Sequence, residues 1–311
     1  MTFIPPTEEQ IAEALGDIAQ LSRDIQKALT NRISESFASI PEPDYWGWLN
    51  QRQEYGQTFK SFEQITSKAI PHSTFKTIYI QPIGSFEHPR APPLELIGEF
   101  AQAFFFGCDV KILPIVDFTE SMPNRINSGT KQIQYQTKGL FEYLAHTRNQ
   151  RNTREELLCV AVTMADIYPD ETYNFVYGQA RSADSYGVYS FSRLDPLFPM
   201  PPHKSMNVKL TDTHRTIILR RCVKILLHEI CHLFGLKHCI YYLCLMNGAN
   251  HAVEMDQQPL FVCPVCLRKL QSSLQFNIEQ MYRKFADLCE THNLDCERDW
   301  YRKRLDCISI Q

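Results

Sequence analysis

His228 and His232 stand four positions apart, and with Glu229, Gly235 and His238 they spell H-E-x-x-H-x-x-G-x-x-H. On an α-helix, residues four apart differ by about 40° in azimuth and about one turn in height, so both imidazoles aim at one point. That pairing suits a zinc ion. Glu229 falls about 80° from the metal face, beside the ion rather than on it, where a carboxylate can act as a general base. Gly235 can take a positive φ at little steric cost, which ends the helix and turns the chain. The turn lets His238 return as a third ligand. Three protein nitrogens leave one zinc position for water, the requirement of a catalytic site. A core helix with chance histidines would account for the amphipathic approach Ile217 to Leu227, but not for Glu229, Gly235 and His238 together.

Four cysteines follow. Cys239 adjoins His238, Cys244 comes next, and Cys263 and Cys266 form a C-x-x-C knuckle. This is structural-zinc spacing. Four thiolates would fill a tetrahedral ion and leave no place for water, so this second zinc would be structural and would tie the loop after Met246 to the end of the catalytic helix. Four reduced thiols or two disulfides are the bland alternatives. Met246 lies shortly after His238 with Asn247 and Gly248 behind it, the place of a Met-turn in zinc hydrolases carrying this signature. Cys231 sits about 80° off the metal face on the side opposite Glu229, and reads as a small packed residue rather than a redox handle.

Together the residues read H-E-x-x-H-x-x-G-x-x-H-C-x4-C-x-M-x16-C-x-x-C. This pattern resembles the archaemetzincin family of metzincin-type zinc peptidases, and within it the eukaryotic branch. Further stretches are similar: Asp166 to Pro169, Asn174 to Ala180, and Ser190 to Arg193. The interval from Met246 to Cys263 is slightly shorter than the family's usual one, a difference of loop length. The resemblance implies an α/β (α+β) fold: a metzincin-like catalytic domain with a mixed, mostly parallel twisted sheet, a central zinc-binding helix and a Met-turn, plus N- and C-terminal helical additions. It implies a zinc metallopeptidase with aminopeptidase-like activity on short peptides. It also implies an antiparallel edge strand along the cleft at 174–178, able to hold an extended substrate by β-augmentation. No tyrosine stands directly behind Met246, so no tyrosine oxyanion donor is assigned.

Composition agrees with an ordinary globular enzyme. Hydrophobic residues make up 44% and charged residues 22% of 311, with a net charge of −3. No bulk basic field recruits nucleic acid; only Arg268 and Lys269 flank the knuckle. The first residues lack the basic and apolar regions of a secretory signal, and no apolar run is long enough to span a membrane. Seven cysteines remain outside the four-cysteine set, an odd number that fits reduced thiols in the cytoplasm or nucleus rather than secretion. No feature sets an oligomeric state.

The elements must position these groups. Thr7 to Gln10 has capping-box form, and Ile11, Leu15, Ile18, Leu21, Ile25 and Leu29 recur at helical spacing, which predicts a helical first block. Residues 37–72 read as an irregular connection. Strands are predicted at Thr77–Gln81, Val110–Leu113 and Leu158–Thr163, with helices striped by Leu94, Ile97, Phe100 and Phe104 and by Leu140, Tyr143 and Leu144. This alternation suggests α/β crossovers. Two short strands follow near 174–178 and 188–192, and Asp195 to Pro202 reads as a stiff loop. Phe276, Met281, Phe285, Leu288 and Trp300 mark two or three amphipathic helices forming a cap. The expected domains are an extension over 1–72, a zinc peptidase domain over 73–275 and a helical cap over 276–311.

The expected function is therefore hydrolysis of peptide bonds in a peptide or protein substrate. Zinc held by His228, His232 and His238 lowers the pKa of its water, with Glu229 as acid–base catalyst, and a second zinc sits on Cys239, Cys244, Cys263 and Cys266. The alternative is a zinc-stabilised peptide-binding or scaffold protein with little turnover. The intact Glu229 favours the enzyme, because a pure binder has no need of a general base.

Overall fold

A computed structural model describes residues 3–151, 154–200 and 210–309. The chain forms two compact units. One is contiguous, Lys68–Leu233; the other combines the chain up to Ser67 with the chain from Phe234 onward.

The discontinuous unit begins with α1 (Glu8–Leu15). Its capping box closes as predicted: the Gln10 N–H donates to Thr7 Oγ1 and the Thr7 N–H to Gln10 Oε1. The apolar stripe does not continue as one helix. Gly16 takes φ 71° and ends α1, and Arg268 fastens the break by donating to the Leu15 and Asp17 carbonyls. The stripe resumes in α2 (Arg23–Thr30), followed by the short turns α3 (Ile33–Ser36), α4 (Trp48–Gln51) and α5 (Phe59–Glu63).

In the contiguous unit the strands are β1 (Thr77–Pro82), β2 (Asp109–Ile112), β3 (Asn124–Ile126), β4 (Ile133–Gln136), β5 (Glu156–Thr163), β6 (Asp166–Tyr168), β7 (Gly178–Arg181) and β8 (Tyr186–Ser190). The main sheet has the order β2-β1-β5-β8-β7. Its first four strands are parallel and β7 is antiparallel to β8. Every residue of β5 is buried, as expected for a central parallel strand covered on both faces. Cys159 and Ala161 pack with Leu140, Phe141 and Leu144 of α7 (Thr137–Gln150), and the pleat sends Leu158, Val160 and Val162 to the other face. α6 (Leu94–Phe104) packs against β2 and against α8 (Asp212–Leu233), and α8 lies on β7 and β8.

Two features depart from expectation. The edge strand expected at 174–178 forms instead at Gly178–Arg181. The turn at Ser182–Ser185, with Ser185 at φ 60°, sets the register so that Gly178 faces Tyr189, and upstream Val176 bridges Ile167 of β6 instead. A separate three-stranded sheet, β3-β4-β6, was not anticipated; its strands are short and carry mixed polar residues. The loop expected at Asp195 to Pro202 is seen as far as Met200, and its last residues lie outside the described ones.

The chain returns to the discontinuous unit through α9 (Ala252–Gln257), α10 (Pro264–Leu274), α11 (Ile278–Thr291) and α12 (Asp295–Ser309). Here the Trp300 ring stacks on Phe261 at 3.6 Å, and Phe37 packs edge-on against both. Arg304, fully buried, donates to the Ala28 and Asn31 carbonyls. The terminal helices thus share a core with residues 28–37.

Candidate metal centre

α8 delivers the first two histidines and the acid. The imidazoles of His228 and His232 stand with Nε2 atoms 3.0 Å apart. Two ligands of a tetrahedral ion with bonds of about 2.05 Å lie about 3.3 Å apart, so the pair has the spacing of nitrogens sharing one zinc. His228 is buried. The last carbonyls of α8 are satisfied locally: Ser182 Oγ donates to the His232 carbonyl and the Ala69 N–H to that of Leu233. Glu229 is half-buried on the same helix. It lies against the start of the edge strand, where a Cβ added at Gly178 would come 3.3 Å from its carboxyl carbon and 2.5 Å from the Tyr189 ring. Tyr189 is fully buried and cannot withdraw. Gly178→Ala is therefore expected to lower stability by about 1–3 kcal/mol, read as a fall in the urea midpoint.

Past α8, Gly235 has φ 87°, as the turn requires. His238 follows, its Nδ1 2.9 Å from Glu54 Oε1. His228, His232 and His238 are a group able to hold a metal ion.

The four cysteines meet. Their sulfurs all lie within 4.8 Å of one another, with Cys239 Sγ and Cys263 Sγ 3.6 Å apart, and all four residues are buried. Backbone N–H groups already point at the sulfurs: Tyr241 N–H to Cys239, and Met246 and Cys263 N–H to Cys244. Burial pushes the Cys244 and Cys263 thiols well above their usual range. Burial acts on Cys239 in the same sense, but the hydrogen bonds of Cys244, Cys263 and Cys266 outweigh it and hold Cys239 well below that range. Converging buried sulfurs with amide donors are the donor set of a closed, tetrahedral zinc.

Asn247, read from sequence as a turn residue, is the hub of this loop. Its carbonyl oxygen accepts from the Cys244 N–H at 2.7 Å, and its amide donates to the Cys239 and Tyr242 carbonyls. The Met246 carbonyl accepts from the Cys239 N–H at 2.7 Å, and Met246 is fully buried. Arg268 and Lys269, the basic pair beside the knuckle, are also buried and bonded to backbone carbonyls. The other similar stretches gather as one network. Asp166 accepts from Arg193 at 2.7 and 2.8 Å and from Gln134 at 2.7 Å, and the Asn174 carbonyl accepts from Gln134 and Arg125.

Comparison with known proteins decides the family. The model of peptidase family M54 matches residues 111–272. Archaemetzincin-2 of Mus musculus is 36% identical over 270 residues, covering 80% of this chain and 74% of that protein. Archaemetzincin-2 of Homo sapiens is 33% identical over 282 residues, covering 84% and 77%. The chain belongs to the archaemetzincin family. A crystal structure of the archaemetzincin from Archaeoglobus fulgidus complexed with malonate is 27% identical, covers 62% of this chain and 99% of that one, and has a TM-score of 0.44. This archaemetzincin is a zinc-dependent metallopeptidase. No helix among its described residues is long and apolar enough to cross a membrane.

Proposed function

We propose that this archaemetzincin removes residues from the N-termini of short peptides, with one zinc on His228, His232 and His238 and a second, structural zinc on Cys239, Cys244, Cys263 and Cys266. The observation that carries the reading is the position of Glu229, on the metal-binding helix and against Gly178 at the start of the edge strand. Strand β7 ends the sheet, so an extended peptide can pair with its free edge and bring a scissile carbonyl toward that carboxylate. Bound to the three histidines, zinc supplies a Lewis acid and a water acidic enough to attack near neutral pH.

Glu229 accepts the proton released as the water oxygen bonds to the carbonyl carbon. It then delivers that proton to the nitrogen as the C–N bond breaks, so the amine departs neutral. Gly178 leaves room for the acid to do this, because any side chain there would press on it. Met246 and Asn247 fasten the loop that leaves His238 to the cysteine module, which supports a structural rather than chemical part for that module.

The reading is tested with pairs of short peptides that differ only in a free or acetylated N-terminus. Chelator-sensitive cleavage of the free member, at least about tenfold faster than of the blocked one, is the expected result. Equal rates at internal bonds would refute the aminopeptidase mode. Binding without cleavage by fully zinc-loaded protein would establish the scaffold reading instead.

A further inference from the structure

The loop that carries His238 is gripped by a short stretch of the N-terminal segment. Glu54 Oε1 lies 2.9 Å from His238 Nδ1, and Trp48 Nε1 donates to that same oxygen at 2.9 Å. The Trp48 ring stands edge-on to the imidazole, with centroids 4.9 Å apart and planes at 84°. Three residues further on, Gln57 closes around the turn: its amide donates to the Gly235 carbonyl at 3.0 Å, and its oxygen accepts from the Lys237 N–H at 3.1 Å. Gln57 is itself anchored, because the buried Lys269 ammonium donates to its carbonyl. Gly235, Lys237 and His238 each find a partner between residues 48 and 57, a stretch outside the 111–272 region matched by the family model.

We propose that Glu54, braced by Trp48, is the positioning residue for the metal ligand His238. The inference rests on the reading of His238 as a zinc ligand. A neutral imidazole carries a single N–H, and the nitrogen that keeps it cannot bind a metal. The Glu54 carboxylate, an acceptor only, claims that hydrogen at Nδ1 and leaves the Nε2 lone pair for the ion. It also makes the ring a stronger donor to a metal. The indole N–H fixes the carboxylate oxygen, and the Trp48 ring blocks rotation of the imidazole out of that orientation. The pair is partly shielded from water, with side chains 21% and 23% exposed, so the contact is stronger than one on an open surface. Gln57 acts on the backbone instead, holding open the turn that Gly235 permits. The N-terminal segment thereby supplies an acceptor for the third histidine.

The test is zinc affinity, measured on the full chain by competition with a chromogenic chelator. Wild type is compared with Glu54→Gln, Glu54→Ala, Trp48→Phe and His238→Ala. Cobalt substitution gives a second readout, because thiolate-to-cobalt absorption reports the cysteine site separately. His238→Ala is expected to lose one metal ion. Both Glu54 variants are expected to bind that ion about 10–100-fold more weakly with the thiolate band unchanged, and Trp48→Phe to show a smaller loss in the same direction. Wild-type affinity in both Glu54 variants, with His238→Ala still losing one ion, overturns the proposal. Retention of both ions by His238→Ala refutes the ligand reading instead. Loss of the thiolate band together with the first ion in the Glu54 variants also overturns the proposal, since it marks a general folding defect.

Discussion

Glu229→Gln is expected to hold as much zinc as the wild type and to lose peptide hydrolysis by about 10²–10⁴-fold in kcat/KM, or roughly 3–5 kcal/mol of transition-state stabilisation. The substitution keeps the volume of the side chain, which matters where the carboxyl group meets Gly178. It removes the only property the mechanism needs, a basic oxygen beside the attacking water. Zinc content by elemental analysis and initial rates on one peptide decide the matter together. Full turnover with full zinc would remove Glu229 from the chemistry. Low turnover with one ion missing would make it a support of the metal site rather than a proton carrier.

Cys263→Ser is expected to have the largest effect on stability. Structural zinc sites contribute apparent free energies of about 10–16 kcal/mol in small modules. Loss of even about 4 kcal/mol lowers an unfolding midpoint by about 6 °C in a chain of this size. The reason for choosing Cys263 is its place in the module: its sulfur lies 3.6 Å from Cys239 and its N–H donates to Cys244. One zinc fewer per chain and a strongly lowered midpoint are the expected results, with the thiolate-to-cobalt band abolished. An unchanged midpoint with unchanged zinc would mean that the four sulfurs gather without an ion.

The parts legible in the sequence are those whose cause is local. The pair His228 and His232, the acid between them, and Gly235 after the helix depend on a helical period and one backbone angle, and α8 and a φ of 87° realise both. Strand β5 was legible because a fully buried parallel strand is a continuous apolar run. The four cysteines were legible because thiolates at knuckle spacing have few other uses. Other features were not. A helical stripe from Ile11 to Leu29 says nothing of Gly16, whose left-handed angle is held by Arg268. The edge strand was displaced because the turn at Ser182–Ser185, not the apolar pattern, sets its register. Glu54, Trp48 and Gln57 were invisible for a different reason: they stand in an irregular, polar stretch, and Glu54 meets its partner 184 positions away. The signal that could have found them is the presence of Trp48, Glu54 and Gln57 in a segment otherwise too irregular to build a core.

The interleaving of the two units has a consequence for biosynthesis. Residues 68–233 are contiguous, so every group they need is present once Leu233 has left the ribosome. The other unit cannot close until its second portion is made. With translation at about 5–20 residues per second, Glu54 waits about 10–40 s for His238, a separation of 184 residues. His228 and His232 are made only ten and six residues before His238, so the three imidazoles arrive together at the end of that interval. Capture of the full metal set is thus a late event in synthesis by construction of the chain rather than by regulation, and truncation ahead of His238 would strand Glu54.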